Sequence, residues 1–152
     1  MSRRKRWVSF HTLTIALMMV LGSSLSSVVS AQEARWEELH SQVDSLYQQG
    51  KYREAIPLAK ESLKVAEQTF GQNHPHVATG LNNLAALYMA QGRYAQAEPL
   101  FKRALMIMEK TVPNHPDVAI LLNSMAALYT KTGRDDEAKK LLARAKRIRA
   151  GQ

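Results

Sequence analysis

Cysteine is absent from all 152 residues. Without thiols there is no disulfide scaffold, no thiol nucleophile, no cysteine-built zinc site and no acylated lipoprotein cysteine. Catalytic signatures are missing as well. The chain has no nucleophile elbow, no glycine-rich phosphate loop and no His-Glu-x-x-His run, so neither an enzyme nor a cofactor site is expected. No stretch alternates apolar and polar residues with period two over any length, which removes the signal for half-buried strands. Long apolar runs are lacking too, and 45% hydrophobic with 22% charged residues excludes disordered, collagen-like and fully membranous classes.

What is present begins with charge. Lys+Arg of 21 against Asp+Glu of 13 gives a formal +8. Much of that excess sits at the start, in Ser2-Arg3-Arg4-Lys5-Arg6. A short apolar run from Leu13 to Leu21 follows, then a serine-rich stretch ending in Val29-Ser30-Ala31. A charged opening, a short greasy middle and a small-residue exit are the parts of a secretory signal peptide. The expectation is a leader over 1–31, cleaved after Ala31, and an exported chain, periplasmic or secreted. A spanning helix needs ~20 mostly apolar residues, and this run weakens at Gly22-Ser23-Ser24. The competing reading is an uncleaved anchor from about Phe10 to Val29. Cleavage takes four cations and no acid, so half of the net charge belongs to the address. Export also argues against a nucleic-acid partner.

The remainder, 32–152, repeats itself. Leu81-Asn82-Asn83-Leu84-Ala85-Ala86-Leu87-Tyr88 returns 41 residues later as Leu122-Asn123-Ser124-Met125-Ala126-Ala127-Leu128-Tyr129. Gly92-Arg93-Tyr94 with Ala97 answers Gly133-Arg134-Asp135 with Ala138, and Asn73-His74-Pro75 answers Asn114-His115-Pro116. A more divergent copy lies earlier, with Leu39, Val43, Leu46, Gly50-Lys51-Tyr52 and Ala55. A period of this size means stacked supersecondary units, here over about 33–70, 75–112 and 116–150.

Each unit reads as two helices. Leu81, Leu84, Ala85 and Tyr88 form one apolar stripe, and Gly92 ends that helix because it takes positive φ cheaply. Ala97, Phe101, Ala104, Leu105 and Met108 form the stripe of the next helix. Pro57 and Pro99 are expected early in second helices, where a missing N–H costs least. The linkers carry turn signals in Gly71-Gln72-Asn73-His74-Pro75 and Val112-Pro113-Asn114-His115-Pro116.

These residues resemble the tetratricopeptide repeat, whose ordered positions are met by Leu81, Leu84, Ala85, Tyr88, Ala97 and Phe101, and again by Leu122, Met125, Ala126, Tyr129, Ala138 and Leu142. The longer unit, with its Leu-Asn-Asn-Leu-Ala start and His-Pro-Asp-Val-Ala linker, is similar to the kinesin light chain type. The resemblance implies an all-α, right-handed superhelical array of about three helix-turn-helix units, with first helices lining a concave groove. Groove positions are then Thr79, Asn82, Asn83, Ala86 and Met89, with Ile120, Asn123, Ala127, Thr130 and Lys131 as counterparts. In similar repeats such asparagines clamp a peptide backbone, a role carried over to Asn82, Asn83 and Asn123. The alternative is that they bond neighbouring helices and hold curvature.

Other surfaces compete with the groove. His74, His76 and His115 are candidate metal ligands, but they fall in linkers with no carboxylate pair at metal spacing, so no metal is expected. The last helix is cationic through Lys139, Lys140, Arg144, Lys146, Arg147 and Arg149. It is either a solvated, dipole-complementing end or a patch for an acidic partner or anionic membrane surface, touched transiently. Aligning second helices, Leu105, Met106 and Met108 give way to Lys146, Arg147 and Arg149, while Ile107 keeps Ile148. That exchange reads as a cap that ends the array and keeps the chain monomeric. The expected partner is a protein or peptide, met in the groove or through rigid docking into an envelope complex.

Overall fold

A computed structural model describes the backbone of residues 5–151 and the side chains of 27–151. The leader expected over 1–31 falls mostly outside the described side chains. Among the described residues six helices follow one another: α1 (Lys5–Gln48), α2 (Tyr52–Phe70), α3 (Pro75–Ala90), α4 (Tyr94–Thr111), α5 (Pro116–Lys131) and α6 (Asp135–Arg149). Among the described residues there is no strand, so the fold is all-α as the periodicity requires. None of the helices among the described residues is long and apolar enough to cross a membrane.

The helices pair as α1/α2, α3/α4 and α5/α6, and each pair leans on the next through α2 against α3 and α4 against α5. Helices α1, α3 and α5 also touch directly, so they form one layer and α2, α4 and α6 the other. The turns inside the pairs are built alike. Gly92 (φ 72°) and Gly133 (φ 76°) occupy the left-handed region, where a side chain would be strained. That geometry lets the Arg93 and Arg134 N–H groups donate back to the Tyr88 and Tyr129 carbonyls, at 2.9 and 2.8 Å. The linkers between pairs end in caps. The Nδ1 of His74 accepts from the His76 N–H (3.2 Å), and that of His115 accepts from the Asp117 N–H (3.3 Å). Each His-Pro step thereby satisfies an orphan donor while proline starts the helix with its φ already set.

One core runs the length of the array. Leu81, Leu87, Phe101, Leu122 and Leu128 are among its largest fully buried side chains. Burying each contributes ~1.5–3 kcal/mol, and Ala55, Ala97, Ala104, Ala138 and Ala145 let helices approach closely enough to exclude water. Gly80 takes this furthest. A Cβ there would lie 3.4 Å from Leu63 Cδ1 and 3.5 Å from its Cα, so α3 sits hard against α2. The repeat places Leu121 at the matching position of α5, and α4 packs less closely on α5.

Two expectations are corrected. Pro57 and Pro99 are the sixth residues of α2 and α4, past the four free donors, so each removes one intrahelical bond. The helices start at Tyr52 and Tyr94, so the prolines fall early in them but not where a missing N–H is free of cost. The capping exchange also differs from the expected triple. Met106 is 66% exposed, so its replacement by Arg147 blocks no stacking surface. Leu142, which meets the repeat position of Phe101, is 47% exposed where Phe101 is fully buried. Only Lys146 and Arg149 stand as cations where the middle unit has the half-buried Leu105 and buried Met108.

Candidate functional site

Two clefts open along the α1/α3/α5 layer, and Asn82 lines both. The first, of about 170 Å³, lies between α3 and α5 and is lined by Ala78, Thr79, Asn82, Met108, Asp117, Ile120 and Leu121. Leu121, the counterpart of Gly80, forms part of its wall. Ile120, 55% exposed, forms an apolar rim to it. The second cleft, of about 190 Å³, lies between α1 and α3 and is lined by Val43, Asp44, Tyr47, Asn82, Asn83 and Ala86.

The asparagines differ in what they do. Asn83 donates through Nδ2 to Asp44 Oδ1 at 3.2 Å and also meets His40 Nδ1 at 3.4 Å, tying α3 to α1. Asn82 Oδ1 is buried and no protein donor reaches it. A buried carbonyl oxygen without a donor costs ~1–3 kcal/mol, so it is the polar atom in this layer with most to gain from an N–H. Met89 and Asn123 are half-buried, while Ala127, Thr130 and Lys131 are exposed at the far end of α5. Of the residues named from the repeat, Thr79, Asn82 and Ile120 line the first cleft and Asn82, Asn83 and Ala86 the second, while Met89, Asn123, Ala127, Thr130 and Lys131 line neither. Thr79 itself spends its hydroxyl on the Pro75 carbonyl (3.2 Å).

The histidines make a ring cluster. Trp36 stacks on His40 at 5.2 Å and meets His76 at 4.1 Å, while Phe70 lies against Trp36, His74 and His76 at 5.7, 4.9 and 4.7 Å. Among the described residues no three histidine or carboxylate groups are placed to hold a metal ion. Burial holds His76 below the ordinary imidazole range, helped by His74 and His40 and opposed by Glu37 and Glu33. The cluster joins the α1, α2 and α3 ends into one apolar patch.

Ion pairs cross between units in a recurring pattern. Glu67 of α2 takes Arg103 of α4 at 2.7 Å, and Glu109 of α4 takes Arg144 of α6. Arg103 and Arg144 are repeat equivalents, as are Glu67 and Glu109. In the first unit Glu61 stands where those arginines do, and it pairs instead with Arg35 of α1. A second tie joins Arg134 to both oxygens of Glu98, at 2.9 and 2.8 Å.

A protein built of stacked helix pairs with an open inner layer is a helical repeat protein, and the chain belongs to the tetratricopeptide repeat family. A family model of that description matches residues 39–110 and again 77–150. Solved structures agree. BtubC (BKLC) from P. vanneervenii is 26% identical with a TM-score of 0.69, over 76% of this chain and 47% of that one. A Podosopora anserina putative kinesin light chain with nearly identical TPR-like repeats is 26% identical with a TM-score of 0.69, over 76% of this chain and 56% of that one. The TPR domain of Arabidopsis FLU shares the fold, with 16% identity and a TM-score of 0.69 over 80% of this chain and 99% of that domain. The chain thus spans about half the length of the first two. Members of this family are generally non-enzymatic scaffolds, and the fold is that of a protein–protein interaction module.

Proposed function

We propose that the chain is an exported adaptor that takes an extended segment of a partner protein along the α1/α3/α5 layer, which is concave in the family's superhelix. The observation that carries this reading is Asn82 Oδ1, buried between two clefts with no protein donor. An extended segment brings unpaired backbone N–H groups at regular intervals, the chemistry that this oxygen lacks. The cleft toward α5, rimmed by Ile120 and Leu121, would take an apolar side chain next to that bond. The leader is part of the same proposal. Residues 27–35 are exposed and the first buried side chain is Trp36, so cleavage after Ala31 removes no described core residue. The mature chain from the host should accordingly begin at Gln32 by mass spectrometry.

The groove is tested by panning a peptide library on the full chain, then rebinding the selected peptides to Asn82→Ala/Asn123→Ala. The expected result is a shared short motif, with binding weakened and melting temperature nearly unchanged. Losing one such bond is worth ~1 kcal/mol. A double variant that melts much earlier would make both asparagines structural, like Asn83, and leave the groove without its support.

A further inference from the structure

The Arg134–Glu98 tie has a repeat equivalent in which the acid is missing. Arg93 lies 41 residues before Arg134 and stands at the same point of its turn, after Gly92. Its guanidinium lies over the Tyr88 ring at 4.4 Å, as that of Arg134 lies over Tyr129 at 3.9 Å. The position of Glu98, however, is filled in the first unit by Ile56, in Ala55-Ile56-Pro57-Leu58 against Ala97-Glu98-Pro99-Leu100. Ile56 and Arg93 face one another across an open notch that Arg53 and Gln91 complete. So the junction of the first two units keeps the guanidinium and loses its carboxylate.

The donors of Arg93 are only partly used, and on neutral oxygens. Its Nε donates to Gln96 Oε1, and one terminal nitrogen donates to Gln91 Oε1 at 3.3 Å. No acid within the described residues pairs with Arg93 or Arg53. Lys51 and Arg53 add positive charge beside it, against a single nearby carboxylate, Glu54. A planar fork of five donors is matched best by a carboxylate gripped at two points, which is how Arg134 holds Glu98.

We propose that this notch is a second docking site, in which Arg93 and Arg53 bind an aspartate or glutamate side chain of a partner protein, with an apolar neighbour resting on Ile56. The partner supplies in trans the carboxylate that Glu98 supplies in cis one unit later. The site is distinct from the clefts at Asn82 and does not depend on them. It lies at the turn edge of the array, where Gln91 and Arg93 precede α4 and Arg53 and Ile56 begin α2. A partner engaging both places would cross from the inner layer onto this edge.

The test is an NMR titration of the full chain, following the Arg93 Nε–H resonance. The probe is acetyl-Leu-Glu-Leu-amide, with acetyl-Leu-Gln-Leu-amide and inorganic phosphate as comparisons. The acidic peptide should move the Arg93 resonance progressively, and the glutamine peptide should leave it in place. In Ile56→Glu the cis carboxylate is restored, so the resonance should start displaced and the peptide-induced shift should be lost. Because Ile56 also packs against the core, Arg93→Gln is the second variant, and it should abolish the perturbation of the other notch residues. Equal shifts from the glutamine peptide, or from phosphate, would overturn carboxylate docking. So would the absence of any shift, or an Ile56→Glu chain that responds like the natural one.

Discussion

The indole of Trp36 lies 4.1 Å, centroid to centroid, from the imidazole of His76, joining the first helix to the start of the third. Both rings belong to an apolar cluster with His40, Phe70 and His74, and that environment disfavours a charged imidazole.

Stability should therefore depend on pH near the imidazole range. Burial first, then His74 and His40, holds the His76 pKa below 6.5 in the folded chain. The unfolded chain takes up that proton at higher pH, so the contribution is complete above about 6.5 and is lost as pH falls through the depressed folded value. Melting temperature should drop as pH falls below about 6.5, and His76→Phe should flatten that drop. Matching profiles for the two chains would assign the dependence to other groups.

Glu98 gives a second acid limb. Hydrogen bonds from Arg134, then from Lys102, pull its pKa from 4.5 to about 2. A depressed carboxylate stabilises the fold above its unfolded value, and that contribution is lost as pH falls through the folded one. Arg134→Gln should lower the denaturation midpoint at neutral pH, and the gap from the natural chain should close as pH approaches about 2. A gap that stays constant into acid would mean that Arg134 acts through its contact with Tyr129 and not through Glu98.

Repeat-equivalent residues should differ sharply in what they contribute. Phe101 is fully buried, whereas Leu142, its counterpart, is 47% exposed on α6. Phe101→Ala should cost ~3–5 kcal/mol in urea denaturation, and Leu142→Ala ~1 kcal/mol or less. A comparable loss at Leu142 would reveal that something covers it in solution, a second copy first of all, and would end the monomer reading.

Helices and their pairing were legible because a 41-residue self-match repeats both the apolar stripes and the glycine that ends each first helix. The same self-match marks the helix face of Thr79 and Asn82, which line a cleft, and of Asn123, which lines neither cleft. What Asn83 does was not legible, since its partner Asp44 lies 39 residues away and is reached only when α1 packs on α3. The histidines read as linker residues. Their rings meet Trp36 and Phe70 only through stacking that no local pattern encodes. The prolines misled because residues ahead of them, from Tyr52 and Tyr94, already continue the helix. The ion pairs between α2, α4 and α6 were missed although their signal was present: Glu67 with Glu109 and Arg103 with Arg144 each recur at the repeat period.

Those recurring pairs make the order of units a matter of grammar. The middle unit offers Arg103 backward to Glu67 and Glu109 forward to Arg144, and it likewise offers Glu98 forward to Arg134. A duplicate of residues 75–115 inserted after itself would meet complementary charge on both sides at every joint. The first unit has no such interchangeability. With Glu61 in the arginine position and Ile56 in the glutamate position, it can open the row but cannot be spliced into its interior without facing the wrong charge.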